Sequence, residues 1–302
     1  MLLNAGTMVV MKGLLVLLLA VTCVVSKYDP GLRVKFNVGF NPGNNFFFNV
    51  PRTIAAAIHD HWSLTPRPSG PLASLSMYCH PDLTVCALFD DNGKAAGLQI
   101  ALDQTELKNN KYDMKQTGFV EWAVTLRDGS IRRFWAIQMY FVDQEYLNLP
   151  AADREASYDD SKLLQQDSLW LTGFNGTVDR ISSKDSDIQE SVFTRQACIP
   201  WMGRHYYHKM TKSTQCRADT MYPWFPLTDS GNLIAVGMMV IGSYPVKESR
   251  DWFEHPPRLA VSTIVPEGPE CLYQLAENPG VTTMHVYFIN TPWGVGCPLW
   301  RK

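Results

Sequence analysis

Two histidines separated by two tyrosines, His205-Tyr206-Tyr207-His208, are the first residues of this 302-residue chain whose types and spacing fit a reaction centre. On a helix, positions three apart share a face. Two imidazoles there, with a third ligand from His255 or His285, would make a Cu or Zn site. On a strand the same residues point to opposite faces, and the paired tyrosines favour a strand or an irregular loop. The other close pair, in His59-Asp60-His61, has the reverse geometry: its histidines diverge on a helix and converge only on a strand. It falls in PRTIAAAIHDHW, where Pro51, the alanines, and Ile54, Ile58 and Trp62 at four-residue spacing predict one short helix. These two histidines are therefore expected in solvent or at the helix edge.

A second constellation is the repeated Pro-Trp pair: Pro200-Trp201, Pro223-Trp224 and Pro292-Trp293. Proline fixes the backbone beside a large flat ring, which suits a rigid platform for stacking on sugars or peptides. The competing role is structural, since tryptophans beside proline at strand ends cap β cores, and two of the three lie near Cys198 and Cys297. The acidic Asp185, Asp187 and Glu190 lack the glycine and ligand spacing of an EF-hand loop and read as a solvated face. No G-x-S-x-G elbow, H-E-x-x-H, phosphate-binding glycine loop or C-x-x-C is present, so no enzyme class is supported and no cofactor is implied.

The elements that must carry these residues are mostly strands. In GLRVKFNVGF, Leu32, Val34, Phe36, Val38 and Phe40 alternate with polar or small residues. That pattern predicts a strand over 31–40 with its even-numbered face buried. Phe36→Ala is then expected to cost about 3–5 kcal/mol and Lys35→Ala little. LSMYC and TVCALF, joined by the turn HPDL, form a hairpin. DDNG and KAAGLQIAL continue it, and FVEWAVTL, RDGS and IRRFWAIQMYFV make another. Residues 151–189 are acidic and Ser-rich and read as a polar surface segment, with an N-glycosylation sequon at Asn175. FPLTDSGNLIAVGMMVIGSY reads as strand, turn, strand and echoes ALFDDNGKAAGLQIAL. The echo admits two related halves, 27–150 and 190–302, within a single β-rich unit over 27–302. RLAVSTIVP reads as a strand, ECLYQL carries a cysteine, and TTMHVYFIN is the last strand. Fold class is thus mainly β, antiparallel meanders in a sandwich-like arrangement with one short N-terminal helix, stabilised by disulfides.

Residues 1–26, with Lys12 before the apolar run GLLVLLLAVTCVV and small Val24 and Ser26 ahead of Lys27, read as a cleaved secretory signal. No later run is long enough to span a membrane. Lys12 is the only charge in that segment, so 26 basic residues face 29 acidic ones in the remainder. A balance so near neutral gives no electrostatic case for nucleic acid. Six cysteines remain after Cys23 leaves, an even number that predicts three disulfides in an exported chain. Sequential closure pairs Cys79 with Cys86, Cys198 with Cys216 and Cys271 with Cys297. An exchange of Cys271 or Cys297 with Cys198 or Cys216 is the main alternative.

Cys198 to Gly242, with its GRHYYHKM string and PWFPLTDSGNLIAVG hairpin, together with the later EHP and MHVYF pieces, resembles secreted invertebrate proteins without an assigned activity. The likeness covers about the C-terminal third and implies an extracellular setting, with no active site to carry over. The expectation is a secreted, disulfide-bonded glycoprotein that binds an extracellular protein or glycan or serves in the extracellular matrix. The alternative is a secreted metal-dependent enzyme using the C-terminal histidines.

Overall fold

The computed structural model describes residues 28–35, 46–246 and 251–297. The expected signal over 1–26, and Phe36 with the rest of the 36–40 stretch, lie outside the described residues.

Two antiparallel sheets face each other. The first runs β11 (Phe193–Ile199), β12 (Gly203–His208), β13 (Trp224–Asp229), β14 (Asn232–Ile241), β15 (Val281–Ile289), β1 (Pro30–Lys35) and β2 (Phe47–Asn49). The second runs β10 (Val178–Ser182), β9 (Ser168–Thr172), β8 (Ile131–Tyr140), β6 (Ala95–Asp103), β5 (Val85–Phe89), β4 (Ser76–Cys79) and β3 (Ser63–Leu64), with β7 (Val120–Thr125) also on β8. The two echoing hairpins, β5–β6 and β13–β14, each sit in the middle of their own sheet. The proposed halves do not match the sheets, however. β1 pairs with β15, so the N-terminal strands complete the C-terminal sheet.

Three apolar layers result. The inter-sheet core takes Val85, Leu98 and Ile137 from one sheet and Trp224, Val236 and Val286 from the other. Trp224 crosses the gap, its Nε1 donating to the Thr172 carbonyl at 2.8 Å. Beyond the first sheet, two helices pack Val261, Val265 and Leu272 onto Phe225, Tyr287 and Ile289. Gly237 lets the Phe225 ring lie across β14, since a Cβ there would fall 1.9 Å from it. A third cluster covers the outside of the second sheet, around Met77, Trp122 and Tyr140. All nine residues of β15 are buried, because both faces of its sheet are covered.

Several expectations need correction. Six helices occur among the described residues, not one: α1 (Ile54–His59), α2 (Gln144–Asn148), α3 (Ala151–Ser157), α4 (Asp185–Gln189), α5 (Arg258–Ile264) and α6 (Glu270–Glu277). Helix α1 starts at a Thr53 cap and buries Ala57, leaving Ile58 exposed. RLAVSTIVP is not a strand but α5. Its β-branched residues resist helix only weakly, and Val261 and Val265 placed one turn apart bury against the sheet. Residues 151–189 are not a surface segment either. They supply β9 and β10 and bury Leu163, Leu164, Leu169, Leu171, Ile181 and Ile188 in the inter-sheet core. Arg154 in α3 is itself buried, donating to the Leu147 carbonyl at 2.9 Å and pairing with Asp91 in the β5–β6 turn.

The cysteines pair Cys79–Cys86, Cys198–Cys297 and Cys216–Cys271. The expected Cys198–Cys216 and Cys271–Cys297 bonds are therefore wrong. The exchange follows from α6, which sets Cys271 against the loop after β12, and from the chain end, which returns to β11. Lys35, expected to be solvated, is buried on the helix-covered face of the first sheet.

Candidate functional site

Strand β12 carries both halves of the histidine pair, and strand geometry sends them apart. Gly203, His205 and Tyr207 face the helical layer, whereas Arg204, Tyr206 and His208 face the inter-sheet side. The Cu or Zn site built on His205 and His208 is therefore not formed. Among the described residues, no group of three or more His, Cys, Asp or Glu side chains is arranged to hold a metal ion.

On the helix side, His205 is fully buried and lies 6.0 Å, ring to ring, from His285 on β15. Phe225 stacks on His205 at 5.9 Å and Tyr207 stacks on Phe225 at 4.9 Å. His285 Nδ1 lies 2.8 Å from Glu254 Oε1, and Lys35 Nζ lies 3.0 Å from Glu254 Oε2. The Glu254 backbone is fixed by two hydrogen bonds with Thr283, at 2.7 and 2.9 Å. Burial alone would raise the Glu254 carboxyl. The charges and hydrogen bonds of His285 and Lys35 outweigh it and hold the group at about 2. His205 is pushed down to about 3 by burial, with His285 beside it acting in the same direction. The Ala197 and Gly203 carbonyls pull slightly the other way, but neither ring nitrogen makes a hydrogen bond of normal geometry. A cavity of about 30 Å³ adjoins these groups. Its size and the surrounding helices leave no room for a substrate. His255, in the segment before α5, is half-buried and feels the charges of Asp251 and of Glu254, but it makes no hydrogen bond to this cluster among the described residues.

The opposite face of β12 opens at the sandwich edge, where β10 of one sheet and β11 of the other are joined by α4. A groove of about 380 Å³ runs there. One wall is aromatic: Tyr222 lies 5.1 Å from His208 and 5.2 Å from Phe174, and Phe193 lies 6.0 Å from both Tyr222 and His208. Polar residues also line the groove, Asp179, Arg180, Ser182, Asp187 and Ser191, interspersed with Ile181, Ile188 and Val192. Tyr222 donates to Asp179 Oδ2 at 2.8 Å, and both burial and that carboxylate raise its hydroxyl pKa. Gly173 makes this bond possible, since a Cβ there would sit 2.2 Å from the Asp179 oxygen. Ser182 and Ser186 donate to Asp187 and lower its pKa, fixing it as an acceptor. Burial lowers the His208 pKa, and its Nδ1 is buried without a hydrogen bond. The sequon lies on the rim: Phe174 and Thr177 line the groove, and Asn175 between them is exposed at φ 55°.

The Pro-Trp pairs do not assemble. Trp224 is core and presents nothing to solvent, which removes it as a stacking platform. Trp293 packs on Phe47 and under the Arg33 guanidinium, 5.3 Å from its ring centroid. Trp201, at φ 64°, donates its backbone N–H to Val295 beside the Cys198–Cys297 bond. Asp185, an expected solvated acid, accepts from Tyr206 and Thr228 at 2.8 and 2.7 Å.

The groove residues Phe174, Asp179, Phe193 and Tyr222 carried no signal in the sequence, because they come from four separate elements. Lys35 was missed for another reason: alternation marks one face of a strand as polar but does not say that helices cover it, and Glu254 lies in an irregular segment that meets β15 only through an isolated bridge at Thr283. No helix among the described residues is long and apolar enough to cross a membrane. The chain matches no family model, no curated protein and no solved structure.

Proposed function

We propose that the protein is a secreted, glycosylated carbohydrate-binding module whose ligand lies in the groove beside His208. The observation that carries this reading is that one groove is lined both by aromatic rings and by fixed carboxylates, an arginine and hydroxyls. A pyranose offers the matching surfaces, an apolar C–H face and a ring of hydroxyls that both donate and accept. Three intrachain disulfides fit an oxidising compartment, and an exposed Asn175 fits an occupied sequon. The enzyme alternative loses its central observation with the divergence of His205 and His208 along β12.

A glycan-array screen of protein recovered from the medium of expressing cells tests the reading. Phe174→Ala and His208→Ala are each expected to weaken any bound glycan by about tenfold, as loss of a stacked ring does. Glycan binding indifferent to both substitutions, or no binding at all, would overturn it.

A further inference from the structure

His208 does not close the groove. It also lines a second basin of about 530 Å³, formed with Lys209, Ser213, Thr214, Gln215, Arg217, Asp219 and Thr220 from the loop after β12. The two basins differ in charge. The first carries Asp179 and Asp187 against one Arg180. In the second, Arg217 is held by Asp219 through bonds of 2.9 and 2.7 Å, which leaves Lys209 to set the local sign. Lys209 is exposed, makes no ion pair among the described residues, and stands in the left-handed backbone region at φ 45°. The Cys216–Cys271 bond anchors this loop to α6, so the basin does not depend on a ligand to be formed.

Resting on the carbohydrate reading above, we infer that the ligand is a linear oligosaccharide running past His208, with a carboxylate- or sulfate-bearing unit in the Lys209 basin. A neutral ring lies against Phe174 and His208 in the first basin. There the carboxylates of Asp179 and Asp187 accept from its hydroxyls and repel an acid group. The acid unit lies beyond His208, where the Lys209 ammonium and the Ser213 hydroxyl donate to it, the Thr214 and Thr220 hydroxyls being spent on the backbone carbonyls of their own loop. The charge difference thus fixes the direction in which the ligand lies.

Calorimetric titration with linear oligosaccharides of about two to six units in which neutral hexoses alternate with uronic acids, and with their methyl esters, tests this directly, because the esters keep the rings and lose the charge. The acid forms are expected to bind about tenfold more tightly than the esters, with affinity rising with length until both basins are filled. Lys209→Asn, chosen because asparagine tolerates the left-handed backbone, is expected to erase the acid preference, bringing the acid and ester forms to the same affinity. Equal binding of acids and esters to the wild-type protein, or an acid preference that survives Lys209→Asn, overturns the inference and leaves the groove reading intact. Binding of both forms that ignores Phe174→Ala and His208→Ala overturns the groove reading itself.

Discussion

The two faces of strand β12 carry the same residue type to opposite ends. His205 is sealed beneath helices α5 and α6, beside a buried Lys35–Glu254–His285 network, and is kept neutral by its surroundings. His208, three residues on, sits half-buried at the junction of two open basins. Two covalent links flank the sealed side: Cys216–Cys271 reaches α6, and Cys198–Cys297 returns the chain end to β11. The groove side is built from sheet-edge strands and one short helix, held by single hydrogen bonds such as Tyr222 to Asp179. The contrast separates stability from recognition along one strand. Substitutions on the first face are expected to change folding, and those on the second to change binding.

The largest expected effect is covalent. Replacing Cys198 and Cys297 together by serine opens a loop of 99 residues and should cost about 4–5 kcal/mol on the chain-entropy model, against about 2 kcal/mol for the seven-residue Cys79–Cys86 loop. Denaturant midpoints measure the difference. Non-reduced peptide mapping that recovers Cys198 linked to Cys216 would remove the long-range staple from the comparison.

Next is the buried ion pair. Glu254→Ala removes the buried carboxylate that both Lys35 and His285 meet and should cost about 3–5 kcal/mol. Lys35→Ala should be comparably damaging, because it leaves the Glu254 carboxylate short of a partner. A loss below 1 kcal/mol in Lys35→Ala by urea unfolding would restore the expectation that β1 shows this residue to solvent.

Acid sensitivity separates the faces a third way. His205 is depressed from its ordinary 6.5 to about 3, so the unfolded chain binds a proton that the folded protein refuses. The stability tied to this difference is fully present above pH 6.5 and is lost as pH falls from there toward 3. The slope approaches about 1.4 kcal/mol per pH unit, the limit for one proton. Glu254, depressed from 4.5 to about 2, adds a second loss below pH 4.5. His205→Leu, apolar and of similar volume, should reduce the loss between pH 6.5 and 4.5, to which the burial-lowered His208 and His255 also contribute, and leave the lower one. An unchanged stability–pH curve in that variant would show that His205 is not held neutral.

The smallest effects belong to the groove. Tyr222→Phe should cost about 1 kcal/mol by removing the bond to Asp179, and His208→Ala less than about 1 kcal/mol, because it is half-exposed. If His208→Ala instead lowered thermal stability as much as Glu254→Ala, the division between a structural and a recognition face would fail.

Much of this was legible locally. Leu32 and Val34 alternate with polar residues and are buried as their spacing requires. The DDNG and TDSG turns close the hairpins at the centre of each sheet, because turn chemistry is a property of four residues. Where local preference was weak, the reading failed: Val261, Thr263 and Ile264 look like a strand until the sheet offers them a face to cover.

What the sequence determined by itself is therefore short-range: the strands and their inward faces, the turns, an apolar core and an even set of six cysteines from residue 79 onward. Tertiary structure alone decided the cysteine partners, since Cys198 meets Cys297 only when the chain end returns to β11. It alone decided that Lys35 is an interior charge, since alternation separates two faces without saying what covers the second. It also gathered Phe174, Phe193, His208 and Tyr222 into one wall, since rings from different strands share a surface only where the edges of two sheets converge.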